Sequence, residues 1–359
     1  MVDEVLVREI RRRALFYDKY SGCSQSVLLA LQEGLGIGDL ESFKAATVLS
    51  GGVARRGETC GALLGALMAV GLVEGRSRMP DTPVYAAACA EADAIATEFQ
   101  RRVEKEFKLK QPLKSTICWE IQSGIYGRSY DLRDTTQREA FYACGGHGDE
   151  GCPKVCGIAA EVAAEKLLPK MQTQLELISG SDRVSFMVDS GKVKAIRAKA
   201  HANENMSGCS QAVLSALQEG LNIGDTQSLK AATAFAGGMS RRGESCGALV
   251  GALMALGIEE GREKLEELPK LQGTIADGYA LSNEFMRRIE KEWALKKPLP
   301  STLCRDMQQA LYGRSWNLAD AAQRTDFINS GGHGDNGCLK VCGIAAEVAA
   351  EMILKNREG

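Results

Sequence analysis

The chain has 359 residues, 45% of them hydrophobic and 25% charged, with a net charge of −2 at neutral pH. That is an ordinary globular composition with room for two cores, and near-neutral charge gives no electrostatic case for nucleic acid or an anionic membrane. A charged N-terminus (Met1 to Arg13) and the lack of an apolar run of about 18 residues lead us to expect a cytoplasmic protein without signal peptide or membrane span. Twelve cysteines in a reducing compartment then argue for metal or redox chemistry rather than a disulfide framework.

In chain order, each element reads as helix. Met1–Tyr20 leads into Ser24–Leu35, whose apolar residues Val27, Leu28, Leu31 and Leu35 fall at helical spacing. Leu40–Leu49 ends at Gly51-Gly52. After a glycine loop comes Cys60–Leu72, apolar on all sides, in which Gly61 and Gly65 imply that something approaches closely, either another helix or a bulky cofactor. Val84–Lys108 is long and charged at its outer end. Ser115–Tyr126 reads as a short helix capped by Ser115, and Thr135–Tyr142 and Cys152–Leu168 follow. Only Val184–Val188 hints at a strand.

The series then repeats. Shifting the sequence by 186 residues aligns 21–60 with 207–246, 28 identities in 40, and 145–168 with 331–354, 20 in 24. We therefore expect an all-α chain of two tandem homologous domains, 1–178 and 187–359, in a pseudo-two-fold arrangement, with a linker near 175–192. Met187–Met206 matches the first leading helix. Five cysteines pair at this offset: Cys23/Cys209, Cys60/Cys246, Cys118/Cys304, Cys152/Cys338 and Cys156/Cys342. Cys89 and Cys144 do not pair, facing Ile275 and Ser330, and read as packing residues.

All five paired cysteines sit at or near expected helix starts, where unpaired N–H groups and the dipole favour thiolate. Glycine loops 51–57 and 145–151 add donors, and Arg55, Arg56, Arg241 and Arg242 could supply positive counter-charge. Four thiolates from four helices suit an iron–sulfur cluster or a structural zinc ion; no ferredoxin, zinc-ribbon or c-type haem signature is present. His147 and His333, in their glycine loops, are candidates for proton donors or ligands; a backbone hydrogen bond is the plainer role. Asp149 and Asp335 could cap the next helix or hold the histidine.

These residues resemble the C_GCAxxG_C_C family of redox proteins, related to the non-haem part of split-Soret cytochrome c. The features are Ser-Gly-Cys23 at a helix start, Gly-Gly-x3-Arg-Gly-Glu-x-Cys60-Gly-Ala-x-x-Gly-Ala, Ser-Thr-x-Cys118, and Cys152 opening a last helix; both halves carry the set. The resemblance implies a helical domain that binds an iron–sulfur cluster (2Fe–2S, 4Fe–4S or larger) in anaerobic electron transfer with a redox partner protein. By position it carries over Cys23, Cys60, Cys118 and Cys152, with Cys209, Cys246, Cys304 and Cys338. Cys156 and Cys342 are additional to its pattern, and haem attachment sites are missing. The tandem implies an internal pseudo-dimer with sites near its two-fold interface. A metallocluster enzyme reducing a small molecule, with His147 and His333 as proton donors, and a zinc-stabilised scaffold are the alternatives.

Overall fold

The computed structural model describes residues 3–171 and 190–358; the expected linker and the weak strand signal at 184–188 lie largely or wholly outside them. The first repeat comprises α1 (Glu4–Tyr17), α2 (Cys23–Leu35), α3 (Leu40–Ala45), α4 (Gly61–Glu74), α5 (Thr82–Glu106), α6 (Cys118–Tyr126), α7 (Thr135–Ala143) and α8 (Cys152–Met171). The second comprises α9 (Ser190–Glu204), α10 (Cys209–Leu221), α11 (Thr226–Ala231), α12 (Gly247–Glu260), α13 (Leu268–Glu292), α14 (Cys304–Tyr312), α15 (Ala321–Asn329) and α16 (Cys338–Glu358). Among the described residues there is no strand, only the isolated bridges Thr59–Ile117 and Ser245–Leu303. The protein is all-α, built twice.

The centre of each repeat is its apolar helix, α4 or α12, buried from the first residue almost to the last. Around α4 pack α2, α5 and α8, with α1 laid across α2 and α8. Two glycines explain how α2 comes so near: a Cβ on Gly65 would stand 2.3 Å from the Ser24 carbonyl oxygen, and one on Gly61 would stand 2.5 Å from Cys23 Sγ. Helix packing accounts for Gly65. At Gly61 the approaching atom is a sulfur, so the glycine seats Cys23 against the start of α4. Gly71 and Gly75, further along α4, do the same toward the other repeat, where Lys230 and Ala231 backbone would meet a Cβ at 2.3 to 2.8 Å.

The repeats meet through reciprocal contacts, as a two-fold requires. Arg76 is fully buried and reaches into the second repeat, its Nε donating to Gln211 Oε1 at 2.6 Å and its Nη2 to the Ser207 carbonyl. Arg262 returns the contact to Gln25 and Ser21. The buried carboxylate of Glu58 accepts from the Thr302 amide and hydroxyl, and that of Glu244 accepts from Thr116 in the same way. Each such charge is fully hydrogen-bonded across the boundary, which is the condition under which burial is tolerated.

Ser115 does not cap α6 as the sequence suggests. The position before Cys118 is Ile117, and the Ser115 hydroxyl donates instead to Glu120, while the Thr59–Ile117 bridge fixes how the helix starts. Tertiary pairing replaces the side-chain cap.

Candidate metal centre

Each cysteine is delivered by a backbone feature. Cys23, Cys118 and Cys152 are the first residues of α2, α6 and α8, and Cys60 is the N-cap of α4. The Cys60 amide donates to the Thr116 carbonyl at 2.9 Å and the Cys118 amide to the Glu58 carbonyl at 2.6 Å, so two cysteine-bearing segments far apart in sequence are laced together. The Cys152 amide donates to the Gly146 carbonyl, closing the glycine loop onto α8. Cys156, one turn on, faces the same way, its Sγ 4.0 Å from the Cys23 carbonyl oxygen.

All five line one pocket with a cavity volume of about 70 Å³, and Cys209, Cys246, Cys304, Cys338 and Cys342 line its counterpart of about 120 Å³. Among the described residues, no three His, Cys, Asp or Glu side chains form a group that could hold a single metal ion.

The helix starts reach the sulfurs: amides of Ala62 and Leu63 favour the Cys60 thiolate, and the Gly51 amide favours that of Cys23. Burial nevertheless outweighs them, against the expectation of lowered thiol pKa values. The Cys60 and Cys246 thiols are pushed up to about 11 and Cys304 to about 12, and Cys118, Cys152, Cys156, Cys209, Cys338 and Cys342 are all raised by burial first. Desolvation of the charged form is the larger effect when no cation is present to pair with it.

Several polar residues touch the sulfurs. Gln122 Nε2 donates to Cys118 Sγ at 3.6 Å while its carbonyl oxygen accepts from the Tyr130 amide; Gln308, Cys304 and Trp316 repeat this at 3.4 Å. The Tyr126 hydroxyl lies 3.8 Å from Cys152 Sγ. Asp18 and its counterpart Glu204 are buried carboxyls beside the sulfurs; neither Asp18 oxygen and only one Glu204 oxygen has a partner. Burial pushes Asp18 up to about 6. Gln122/Gln308 and Tyr126/Tyr312 do pair at the 186-residue offset, and this was the signal available for them in the sequence.

The histidines both line their pockets but are held differently. His147 packs edge-on to Tyr142 and Phe141, with ring centroids 5.4 and 6.2 Å away. His333 Nε2 lies 3.1 Å from Glu204 Oε1, and that carboxylate raises its pKa. Asp149 pairs with Lys19 at 3.0 Å, and Asp335 lies 3.7 Å from His201. Of the arginines, Arg55 and Arg241 line the pockets. Arg56 instead contacts Asn283 and the Tyr279 ring, and Arg242 contacts Asp93, both across the repeat boundary. Cys144 is exposed; Cys89 is buried beside Tyr85 and packs with Cys209.

Each pocket also takes a wall from the other repeat. Leu271 and Ile275 of α13 close the first, and Tyr85 of α5 closes the second. Local sequence patterns carry no trace of this.

Fold and site together define a duplicated all-helical protein with one buried five-thiol pocket per repeat, each set against the repeat boundary. The family model described as "Putative redox-active protein (C_GCAxxG_C_C)" matches residues 21–166 and again 207–352, and the chain belongs to that family. No curated protein and no solved structure matches it.

Proposed function

We propose that the protein is an iron–sulfur redox protein carrying one cluster per repeat and exchanging electrons with a partner protein. The observation that carries this reading is that five cysteines from four separate helix starts line one pocket in each repeat of a chain whose family is described as redox-active. Four thiolates gathered from separate segments suit an iron–sulfur cluster, with a structural zinc ion as the alternative that metal analysis separates. Cys23, Cys60, Cys118 and Cys152, with Cys209, Cys246, Cys304 and Cys338, would hold it, and Cys156 and Cys342 stand ready as a further sulfur on the same wall.

A bound cluster supplies one-electron chemistry. The chain's own residues set its surroundings: Gln122 and Gln308 aim N–H donors at a sulfur, which stabilises the reduced state. The apolar walls keep water away, and the closely packed α4 and α12 hold the cysteines rigid during electron exchange. Because the free thiols are protonated, loading must displace protons from them.

Iron and acid-labile sulfide analysis of anaerobically purified protein, with EPR of the reduced form, tests this. Brown protein with matching iron and sulfide is expected; colourless protein with stoichiometric zinc would overturn it. One observation favours an added enzymatic role for the second pocket: the His333–Glu204 pair could hold a proton beside the reduced centre.

A further inference from the structure

Arg55 is the least explained side chain of the first pocket. It sits in a run of three left-handed residues, Val53, Ala54 and Arg55 (φ 58°, 51° and 58°), which the second repeat duplicates at Met239, Ser240 and Arg241 (φ 59°, 50° and 71°). Such a run, including a β-branched valine, is strained and persists where the surrounding structure requires it. The loop is tied down by amide bonds from Val53, Ala54 and Arg55 to Leu49, Val48 and Ser50 carbonyls, and its outcome is to aim one guanidinium into the pocket. There the guanidinium has no hydrogen bond or ion pair with any described residue. Its five N–H donors are unspent.

A second arginine stands with it. Arg138 lines the same pocket, its Nη1 donating to the Leu132 and Arg133 carbonyls at 2.9 and 3.4 Å and its Nη2 to the Thr135 hydroxyl at 3.3 Å, with no carboxylate as partner. Arg324 lines the second pocket, its Nη1 on the Leu318 and Ala319 carbonyls at 2.8 and 3.4 Å. Burial, and after it the Arg138 charge, depresses the Arg55 pKa. The pocket carboxyls do not neutralise them: Asp18 feels His147, Cys156 and Arg262, and Glu204 is taken by His333.

A phenol completes the pattern by two routes. In the first pocket it is Tyr142, where the second repeat has Ile328. In the second pocket it is Tyr85, arriving from the other repeat where its counterpart is Leu271, with its ring 5.9 Å from Arg241. The group is kept although the residue supplying it has moved.

We propose that each pocket binds a small oxyanion between its two arginines and its tyrosine, in the pocket that the thiols also line. One guanidinium without a partner, a second with no carboxylate to neutralise it, and a hydroxyl match the pyramidal or tetrahedral oxygens of ligands such as sulfite or sulfate. The site does not depend on which metal group the thiols hold, so it goes beyond the cluster reading.

The test is isothermal titration of the purified protein, in whatever metal state it is isolated, with sulfite and with sulfate as a less reducible probe. Saturable binding is expected in the wild type. An Arg138→Gln plus Arg324→Gln variant should weaken it by about tenfold or more, with iron, zinc and sulfide contents unchanged. Should that variant fail to fold, Arg55→Lys plus Arg241→Lys keeps both charges but breaks the fork, and should weaken binding with the circular dichroism intact. No saturable binding to the wild type, or unaltered binding to a folded arginine variant, overturns the site and leaves the arginines as counter-charge alone. Iron-free protein that still binds the anion would sink the cluster and keep this site; iron-loaded protein that binds none would do the reverse.

Discussion

The two pockets share every thiol, two arginines and a histidine, and differ at a few positions around them. The first has His147 against aromatic rings, a short unpartnered Asp18, and an apolar wall of Leu271 and Ile275. The second has His333 paired to the longer Glu204, and a wall carrying the Tyr85 hydroxyl. One methylene decides the histidine's partner: the glutamate at 204 reaches a ring nitrogen, whereas neither oxygen of the aspartate at 18 has a hydrogen-bond partner. Duplication has preserved the frame of cysteines and let the surroundings of the histidine diverge. On the proposed iron–sulfur reading, such a pair suits one centre that passes electrons and another that couples them to a proton.

Removing one thiol from each pocket separately tests whether the pockets load independently. Cys60→Ser and Cys246→Ser should each lose the metal of one pocket and keep the other, halving the iron content; loss of both from either variant would show that the pockets are cooperative. Next in size, Gly61→Ala places a methyl 2.5 Å from Cys23 Sγ and 2.9 Å from the Leu49 carbonyl, and Gly247→Ala is nearly identical. Each should cost about 1–3 kcal/mol in chemical denaturation, and a marked difference between them would reveal unequal rigidity of the two frames.

Glu204→Gln should bring the two histidines closer in behaviour. Glu204 keeps the His333 imidazolium charged to higher pH than usual, so the stabilisation it gives is full at low pH and is lost as pH rises through the raised value. Proton NMR should find the His333 pKa lower in the variant than in the wild type; no change would mean that the ion pair does not form in solution. The smallest effect concerns Asp39 and Asp225, which meet across the boundary: burial first, and then the Asp225 carboxyl, raises Asp39 to about 6, as expected of two carboxyls sharing a proton. Ionising the second carboxyl costs stability as pH rises from about 4 to 6, and that cost then persists. Asp39→Asn should therefore gain relative to wild type over this range, by about 1 kcal/mol after allowance for solvent screening. A pH-independent difference would contradict the shared proton.

Much of this was legible in the chain. Helical spacing gave α2 and α5 closely, the 186-residue offset gave the duplicated fold, and the helix-start positions of Cys23, Cys60 and Cys152 were readable from neighbouring glycines, while that of Cys118 was read from Ser115. What escaped was set by contacts distant in sequence. Ser115 looked like a cap because the Thr59–Ile117 bridge leaves no local mark. The thiol environment was misjudged because helix-end donors can be read from position, while burial depends on the whole assembly. Tyr85 and Leu271 could not be assigned to a pocket at all, since each serves the repeat to which it does not belong.

That crossing has an evolutionary consequence. If two identical chains assembled this way, the residue at the position of Tyr85 and Leu271 would necessarily be the same on both sides, and any change would strike both pockets at once. Tethering the copies in one chain lifts that restriction. A wall can gain a hydroxyl over one centre while staying greasy over the other, so a single polypeptide can explore combinations that a symmetric pair could never encode.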